Sequence, residues 1–232
     1  RGLSSLAVVG LLAGLLSPLA MFYTLPKVFP VTAVIASALA LWQIAAQAPN
    51  LAGRKAALAG LFLGLMFLVA PPADAWVYRY YLRREARQFA AAWIEDVREG
   101  KVYQAHDLMI DPKKRVPPDV PPDMPLEKYY ADYYSRSDYQ RRMLPLFIDR
   151  PMVRTLFALG KSAEYRFYET AEEGGEGGND FVKSTYAVTF TDEKRKKTFF
   201  ISLAMSRSID RASGRCEWTL ARVDGPERPP GW

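Results

Sequence analysis

The chain contains one histidine, His106, and one cysteine, Cys216, among its 232 residues. A structural zinc site needs four ligands, usually cysteine or histidine, so two such residues exclude a Cys/His zinc site as well as a disulfide framework. A Ser-His-Asp or Cys-His nucleophile would depend on His106 alone, because the base must lie within hydrogen-bonding distance of its nucleophile. No G-x-S-x-G turn or glycine-rich phosphate loop accompanies it. We therefore expect no metal and no cofactor, and the sequence names no reaction.

His106 and Tyr165 are the two polar side chains that could serve a ligand in an otherwise apolar pocket. A lone histidine on a short helix, here next to Asp107, is more often a surface or hydrogen-bonded structural residue than an acid or base. We therefore favour a structural role for His106 over a catalytic one.

The densest cluster of cations is Lys194-Arg195-Lys196-Lys197. Such a cluster can attract anionic lipid or nucleic acid, but a charged hairpin tip between two strands is usually only solvated. Residues 77–232 carry 27 basic and 24 acidic side chains, whereas a nucleic-acid-binding domain presents a basic face. We therefore expect no nucleic-acid partner and favour a solvated tip.

The spacing at which apolar residues recur along the chain indicates which helices and strands must position these residues. Apolar residues recur at helical spacing from Leu82 to Val97, which predicts an amphipathic helix. Three segments follow: a short helix over 102–110, a proline-rich extended loop over 111–125 and a tyrosine-rich helical insert over 126–160. Within the insert we expect one helix over 126–142 and another that begins at Pro145 or Pro151.

After Gly160 the apolar period changes from that of a helix to two, which is typical of strands. Four such runs are separated by turn-forming segments at 172–179, 191–197 and 210–214. They predict a four-stranded antiparallel sheet with one apolar face, which the preceding helices can cover. The predicted fold class of this part of the chain is α+β.

Only five of the chain's 56 charged side chains lie in residues 1–76. Three apolar runs, over about 3–23, 29–46 and 56–76, have or approach the length that a helix needs to cross a hydrocarbon core of about 30 Å. The alternative, core helices of a soluble protein, is disfavoured because these runs lack a polar face. The sequence therefore predicts a module of three transmembrane helices, followed by a polar domain over 77–232.

Two pairs of glycines four residues apart, Gly10 with Gly14 and Gly60 with Gly64, lie in the first and third runs. Small residues one turn apart let helix backbones approach closely in lipid, so we expect these two helices to pack together. The same pattern arises by chance in stretches rich in glycine and alanine, and that alternative stays open.

The positive charges near the apolar runs give conflicting signals about orientation. Arg54 and Lys55, in the loop over 47–55, favour a cytoplasmic position for that loop, which would place the polar domain on the extracytoplasmic side. Four arginines between residues 79 and 87 favour the opposite, and we expect the extracytoplasmic position. The chain starts with Arg1 rather than Met, so we also expect preceding residues that would hold any targeting segment.

The segments Ala40 to Ile44, Leu51 to Arg54 and Ala56 to Gly64 read ALWQI, LAGR and AALAGLFLG. An apolar helix with an Ala-Leu-x-x-Ile phrase, a Gly-Arg loop and a helix with an Ala-x-x-Gly-x-x-x-Gly phrase resemble a small bacterial membrane module of unknown function. The resemblance covers about residues 3–70 and implies a membrane protein and no chemistry. We expect a multi-pass protein of the bacterial cytoplasmic (inner) membrane.

The helix phrase Ala90 to Ile94, the phrase Gly100 to Leu108 and the closing phrase Trp218 to Val223 carry a second resemblance. Over about 83–225 the chain resembles the nuclear transport factor 2-like superfamily, also called SnoaL-like or ketosteroid-isomerase-like. The resemblance implies a cone of helices against a curved antiparallel sheet. The tyrosine-rich insert departs from the family pattern. No catalytic position of the family can be matched residue by residue, so its activity is not carried over.

In such a cone, the expected pocket lies between the first helix and the concave face of the sheet. By phase, its lining would be Trp93, Tyr103, His106, Tyr165, Phe167, Tyr186, Phe199, Leu203 and Trp218. The alternative, which we favour, is that these side chains simply fill the core.

We expect a membrane-anchored, non-catalytic binding or interaction protein. Its partners would be the lipid bilayer together with a membrane protein, a second copy of the chain or a small ligand. Two alternatives stay open: a cone-fold enzyme, isomerase- or hydrolase-like, with a buried acid, and a structural subunit of a larger membrane complex. The tyrosines between Glu127 and Tyr134 would be a contact surface in that complex, or would lie on a helix packed against the domain.

Overall fold

The computed structural model describes residues 2–21, 28–46, 51–176, 179–209 and 216–227. Their contacts divide the chain into two compact units, Arg1–Tyr80 and Tyr81–Trp232. The boundary between the units falls inside one long helix.

The first unit consists of helices and one very short pair of strands. Its elements are β1 (Gly2–Leu3), α1 (Ser5–Leu16) with a 3-10 turn (Ser17–Met21), α2 (Val28–Ala46), β2 (Leu51–Ala52) and the first part of α3 (Arg54–Arg98). β1 and β2 pair in parallel, and the Ser4 amide donates to the Ala52 carbonyl over 3.2 Å. These bonds hold the start of α1 beside the start of α3.

Two helices, α2 and α3, are long and apolar enough to cross a membrane by length and composition. The first run is shorter, because α1 has 12 residues, which rise about 18 Å against a hydrocarbon core of about 30 Å. Pro18 has no amide hydrogen to donate, and the chain tightens there into the 3-10 turn. The prediction of three spans is therefore wrong. Residues 22–23 of the predicted first span lie outside the described residues.

The tandem prolines Pro71 and Pro72 do not end the third run as the sequence predicted. They lie inside α3, which continues as one helix of 45 residues. Each proline removes one amide donor, and so one hydrogen bond, from the helix. Alanine, leucine and arginine, which favour helix, are abundant on both sides, so the helix continues through the two prolines. The predicted span over 56–76 and the predicted amphipathic helix over 82–97 are therefore parts of one element.

The second unit begins with the last part of α3 and continues with four shorter helices. These are α4 (Val102–Asp107), α5 (Leu126–Arg136), α6 (Asp138–Ile148) and α7 (Pro151–Leu159). The single helix predicted over 126–142 is instead two, because Ser137 has an extended backbone and its hydroxyl accepts from the Gln140 amide, as an N-cap does. Pro145 lies inside α6, and Pro151 begins α7.

The sheet of the second unit has four antiparallel strands in the order β3-β4-β5-β6, which confirms the prediction. The strands are β3 (Glu164–Glu176), β4 (Asn179–Asp192), β5 (Arg195–Ile209) and β6 (Cys216–Glu227). The register shifts between Phe167 and Glu169 on β3 and between Phe200 and Ser202 on β5. Such bulges bend strands, and the sheet is curved.

The turns are tighter than the sequence predicted. In the segment 191–197 only Glu193 and Lys194 separate β4 from β5, and both have the positive φ that a two-residue hairpin turn requires. Most of the segment 172–179 belongs to β3. The predicted turn at 210–214 lies outside the described residues.

The core of the second unit lies between α3 and one face of the sheet, which we call the inner face. Leu82, Ala86, Ala90, Trp93 and Val97 are buried at helical spacing on α3, which confirms the predicted apolar face. The strand residues of the same core are Val182, Tyr186 and Val188 on β4, Ile201, Leu203 and Met205 on β5, and Trp218 and Leu220 on β6. The alternation along each strand places these side chains on one side of the sheet.

Candidate functional site

Seven of the nine side chains predicted to line a pocket belong to the core at the inner face. Trp93 and Leu203 are fully buried, and Tyr186 and Trp218 are nearly so. Tyr165, Phe167 and Phe199 are partly buried and pack against the same core. The Trp93 indole donates to the Ala105 carbonyl over 3.1 Å, which satisfies its only polar hydrogen. The inner face is therefore filled where these side chains meet.

The other two predicted lining residues, Tyr103 and His106, belong to a separate cluster around Tyr134. His106 Nδ1 lies 2.9 Å from Tyr134 Oη, and the Tyr134 hydroxyl donates to the Tyr103 carbonyl over 3.2 Å. Because the hydroxyl hydrogen goes to Tyr103, the imidazole hydrogen lies on Nδ1 and is donated to the tyrosine oxygen. Burial, with a smaller contribution from Arg150, lowers the pKa of His106 to about 4. His106 is therefore neutral at pH 7 and acts as a structural donor.

Asp107 and Arg115 join the end of α4 to β6. Asp107 is buried, accepts from the Val116 amide over 3.0 Å, and has its carboxyl pKa raised by burial. Arg115 donates to the carbonyls of Asp107 and Ile110 over 3.1 and 3.2 Å, and to the carbonyl of Trp218. Arg115 thus ties the carbonyls after α4 to a carbonyl of β6, and Asp107 holds the following loop, so both side chains have structural roles.

A second buried polar cluster joins the last part of α3 to the sheet. Arg207 donates to Asp180 Oδ2 over 2.9 and 2.7 Å and to Glu85 Oε2 over 2.9 Å. The Trp218 indole also donates to Glu85 Oε2, over 3.4 Å. Removing one partner of a buried ion pair strongly destabilises a protein, because it leaves an uncompensated charge. These three side chains therefore stabilise the fold.

An open cavity of about 410 Å³ lies at the side of the core, beside the start of β3. The end of α3, the 3-10 turn Gly160–Ser162, β3 and β4 form its wall. Its lining includes Ile94, Arg98, Lys161, Ala163, Tyr165 and Tyr186. The sequence had singled out Tyr165 and Tyr186 but missed Arg98 and Lys161. The available signal for Lys161 was its place in the short turn between Gly160, which ends α7, and the start of β3.

Both carboxylates of this cavity are ion-paired. Glu95 accepts from Arg98 Nη1 over 2.8 Å, and Glu164 accepts from Arg166 Nε over 2.8 Å. Lys161 adds a further positive charge and makes no ion pair within the ranges that the structure describes. Among the residues that line the cavity, Arg98 and Lys161 therefore balance the charges of Glu95 and Glu164.

Two hydrogen-bond donors in this wall have no acceptor. Arg98 Nε and Tyr165 Oη are buried and make no hydrogen bond with any residue that the structure describes. Burial raises the pKa of Tyr165 to about 12, against a smaller opposite effect of Arg98. The Tyr165 hydroxyl is therefore protonated at pH 7. Buried donors without an acceptor are uncommon in proteins, and they mark this cavity as the candidate binding site.

The remaining titratable groups do not converge on a reactive centre. His106 lines a different cavity of about 80 Å³, between α4 and α6, and Cys216 is exposed on β6. Across the described ranges, no group of three or more His, Cys, Asp or Glu side chains is placed to hold a metal ion. The cavity beside β3 is thus distinguished by two donors without an acceptor among the described residues, not by a reactive group.

The tyrosine-rich helix α5 packs on the second unit. Tyr134 is buried, and its ring meets that of Tyr103 edge-on at 5.0 Å. The cationic tip between β4 and β5 is exposed, and its Lys197 pairs with Asp192. Neither α5 nor this tip contributes a residue to the lining of the candidate binding site.

The four glycines predicted to pack helices all lie at helix contacts of the first unit. A Cβ atom built on Gly60 would lie 2.6 Å from the Gly10 carbonyl oxygen, and one built on Gly14 would lie 3.1 Å from the Gly60 oxygen. A Cβ built on Gly64 would lie 3.0 Å from that of Ala33 on α2. The backbones approach so closely at these points that a side chain would displace a neighbour.

Small residues fill the inside of the first unit, and large apolar residues cover its outside. Ala7, Ala33, Ala40 and Ala57 are fully buried. The large apolar side chains that are more than half exposed include Leu12, Leu15, Ile35, Trp42, Phe62 and Val69. Soluble monomers rarely expose so much contiguous apolar surface.

Comparison of the chain with protein-family models, with curated proteins and with solved structures finds no match. The two family resemblances of the sequence therefore stay predictions.

Proposed function

We propose that this chain is a membrane-anchored, non-catalytic binding protein. The first unit holds it in a lipid bilayer, and the second unit binds a ligand or partner. The observation that carries the proposal is the arrangement of the first unit, with small residues inside and large apolar residues outside. In lipid an apolar outside is favourable, and close packing of small residues supplies the contacts between helices.

Three features of the second unit support binding rather than catalysis. The inner face is filled by buried side chains such as Trp93 and Leu203. Both carboxylates of the open cavity are held by arginines, whereas a general acid or base needs a group placed to exchange a proton with a substrate. The pKa of His106 is lowered to about 4, and its Nδ1 hydrogen is committed to Tyr134. These features favour the binding protein over the cone-fold enzyme.

A structural subunit of a membrane complex is the second candidate. On α6, part of the tyrosine-rich insert, Tyr139, Met143 and Leu146 are exposed apolar side chains at a spacing of four and three residues. They form a stripe along one side of the helix. A stripe of this kind is suited to contact with another protein.

We extend the proposal to family and topology. Residues 83–225 would belong to the nuclear transport factor 2-like superfamily, which the order of helices followed by a curved antiparallel sheet supports. Residues 3–70 would be the bacterial membrane module. With α2 and α3 crossing the inner membrane, Arg54 and Lys55 would be cytoplasmic and the second unit extracytoplasmic. A reporter fused after Trp232 tests this orientation, and cytoplasmic reporter activity would contradict it.

Alkaline carbonate extraction of membranes from a bacterial host expressing the full chain tests the anchoring. Integral proteins stay in the pellet, and we expect the chain to be released only by detergent. Release into the supernatant in folded form would overturn the proposal. Native mass spectrometry of the detergent-solubilised chain tests binding. A non-covalently bound ligand or protein supports it, and a bare monomer in every preparation contradicts it.

A further inference from the structure

We infer that a groove along α6 binds a segment of a partner protein that carries apolar side chains between two carboxylates. The inference rests on the proposed function, in which the second unit binds a partner, and it names the chemistry of that partner. Two cavities that share Tyr139 form the groove. One of about 400 Å³ reaches Ser137 and Gln140 at the start of α6, and one of about 80 Å³ reaches Arg150 just beyond its end. We call the two together the α6 groove.

The middle of the α6 groove is apolar and open to solvent. Tyr139, Met143 and Leu146 are between 36% and 61% exposed and lie on one side of the helix. The buried ring of Phe147 also lines the groove and is held by contact with the ring of His106, whose centre is 5.1 Å away. Exposed tyrosine and methionine side chains on a well-packed support are typical of surfaces that bind other proteins.

Positive charge lies at both ends of the α6 groove. Lys114 Nζ lies 5.1 Å from the centre of the Tyr139 ring at one end, and the exposed Arg150 lines the other end. None of the described residues that line the groove is Asp or Glu, and neither cation forms an ion pair within the described ranges. Outside the lining, Asp138 pairs with an arginine over 2.7 Å, and Asp149 is exposed. The groove therefore complements a partner that brings carboxylates to its two ends.

The shape of the groove favours a chain segment over a flat surface. With 11 residues, α6 is about 16 Å long. An extended segment rises about 3.3 Å per residue, so five or six of its residues would lie along the helix. Apolar side chains of such a segment can enter the groove while carboxylates on either side pair with Lys114 and Arg150. A bilayer surface is flat and would leave the recessed part of the wall uncovered.

Selection from a random phage-display library of short peptides, on the full chain in lipid nanodiscs, tests the partner chemistry. Empty nanodiscs remove phages that bind lipid or scaffold protein. We expect the enriched peptides to carry Asp or Glu on both sides of an apolar run. One enriched peptide, synthesised with a fluorophore, then serves as the probe for fluorescence anisotropy. Its matched control, with Asn and Gln in place of Asp and Glu, should bind at least about tenfold more weakly.

Two matched pairs of charge variants locate the binding of this probe peptide. Lys114→Gln removes a cation of the groove, and Lys113→Gln is its control, because Lys113 is exposed and does not line the groove. Arg150→Gln and its control Arg154→Gln form the second pair on the same grounds. We expect each groove variant to weaken binding by at least about fivefold and each control to change it by less than about twofold.

A third pair of variants tests the apolar middle of the groove. Leu146→Ser removes its most exposed apolar side chain, and Ile148→Ser is the control, because Ile148 is an exposed residue of the same helix outside the lining. We expect Leu146→Ser to weaken binding of the probe peptide by about tenfold and Ile148→Ser by less than about twofold. Both side chains are exposed, so both variants should fold.

The remaining outcomes would each overturn the inference. They are a selection without enriched peptides, enriched peptides that lack acidic residues, and binding that resists all three groove variants. Competition by nanodiscs rich in phosphatidylglycerol would assign the groove to the bilayer instead. A dimer in native mass spectrometry that Leu146→Ser dissociates would assign it to a second copy of the chain. Carbonate extraction tests the membrane anchoring independently, so failure of this inference can be told from failure of the proposed function.

Discussion

Two tryptophans show how differently the two units use large apolar side chains. Trp42, on α2 of the first unit, is 72% exposed, whereas Trp93, on α3 in the second unit, is fully buried and hydrogen-bonded. Alanines such as Ala40 and Ala57 take the buried positions of the first unit. In the second unit those positions belong to tryptophan, leucine, isoleucine and methionine.

The proposed membrane anchoring accounts for this difference, because the first unit would then be in lipid and the second in water. In water, removing large apolar side chains from the solvent is the main favourable term of folding, as in the second unit. In lipid that term vanishes, and helices associate through close backbone approach at small residues, as Gly10 and Gly60 do. A chain with both arrangements has one unit suited to lipid and one suited to water.

A tryptophan-to-alanine substitution should be costly in the second unit and nearly without effect in the first. Trp93→Ala removes a fully buried indole and its hydrogen bond to Ala105, and should lower the free energy of unfolding by about 3–5 kcal/mol. Trp42→Ala should change it by less than about 0.5 kcal/mol, because the side chain packs against little of the protein. Urea unfolding of the full chain in nanodiscs, followed by circular dichroism, measures both. Similar losses for the two variants would contradict the contrast.

The buried imidazole should make the second unit sensitive to acid. Folded His106 stays neutral down to a pKa of about 4, whereas the unfolded chain takes up its proton near 6.5. The unfolded state binds more protons between these values, so the free energy of unfolding should fall as pH falls from 6.5 to 4, by up to about 3 kcal/mol. Asp107 has a raised pKa and acts in the opposite direction, because its folded form takes up a proton first.

The variant His106→Gln separates these two contributions, since it removes only the imidazole. Urea unfolding at a series of pH values between 7 and 4 should show a flatter decline for the variant than for the unmodified chain. Tyr134→Phe is the control, because it removes the hydrogen-bond partner and keeps the buried imidazole. Parallel pH profiles for His106→Gln and the unmodified chain would contradict a lowered pKa of His106 in the folded chain.

Close helix packing predicts a large cost for one added methyl group in the first unit. A Cβ at Gly60 would lie 2.6 Å from the Gly10 carbonyl oxygen, so Gly60→Ala should cost about 1–3 kcal/mol of helix association. Gly174→Ala, on β3, is the control, since a Cβ there would meet nothing within 4 Å. Thermal unfolding of the full chain in nanodiscs measures both. If Gly60→Ala is as harmless as Gly174→Ala, the helices do not pack through their glycines.

The smallest change in the free energy of unfolding is expected at the solvent-exposed surface of the second unit. Arg141 pairs with Asp138 over 2.7 Å, but both side chains are well exposed, so water competes for the pair. Arg141→Ala should change the free energy of unfolding by at most about 0.5 kcal/mol. The same urea experiment measures it. A loss above about 2 kcal/mol would show that this surface is less solvated than the structure indicates.

Local periodicity was enough to predict most elements of the second unit. The face of α3 from Leu82 to Val97 and the alternation of β4 and β5 are signals carried by neighbouring residues. The split between α5 and α6 also had a local signal, because Ser137 with Gln140 three residues later is a capping pattern. Pro71 and Pro72 misled the prediction, since a proline pair is a statistical helix breaker and the surrounding residues can overrule it.

The candidate site was only half predictable, because its residues come from distant parts of the chain. Tyr165 was named for its place in the strand, but nothing local shows that Arg98 forms the same wall. The pairing of Arg207 with Glu85 joins residues 122 positions apart. Which charges are paired and which donors stay unsatisfied depends on three-dimensional placement, and one sequence does not encode that in its spacing.

The most direct test of the central claim is quenching of tryptophan fluorescence in nanodiscs. Brominated lipids quench an indole in the bilayer, and iodide quenches one in water. We predict that Trp42→Phe removes emission that brominated lipid quenches and leaves the iodide-quenched emission unchanged, because Trp42 lies on the apolar outside of the first unit. If Trp42→Phe instead removes iodide-quenched emission, the outside of the first unit faces water and the membrane-anchored account is wrong.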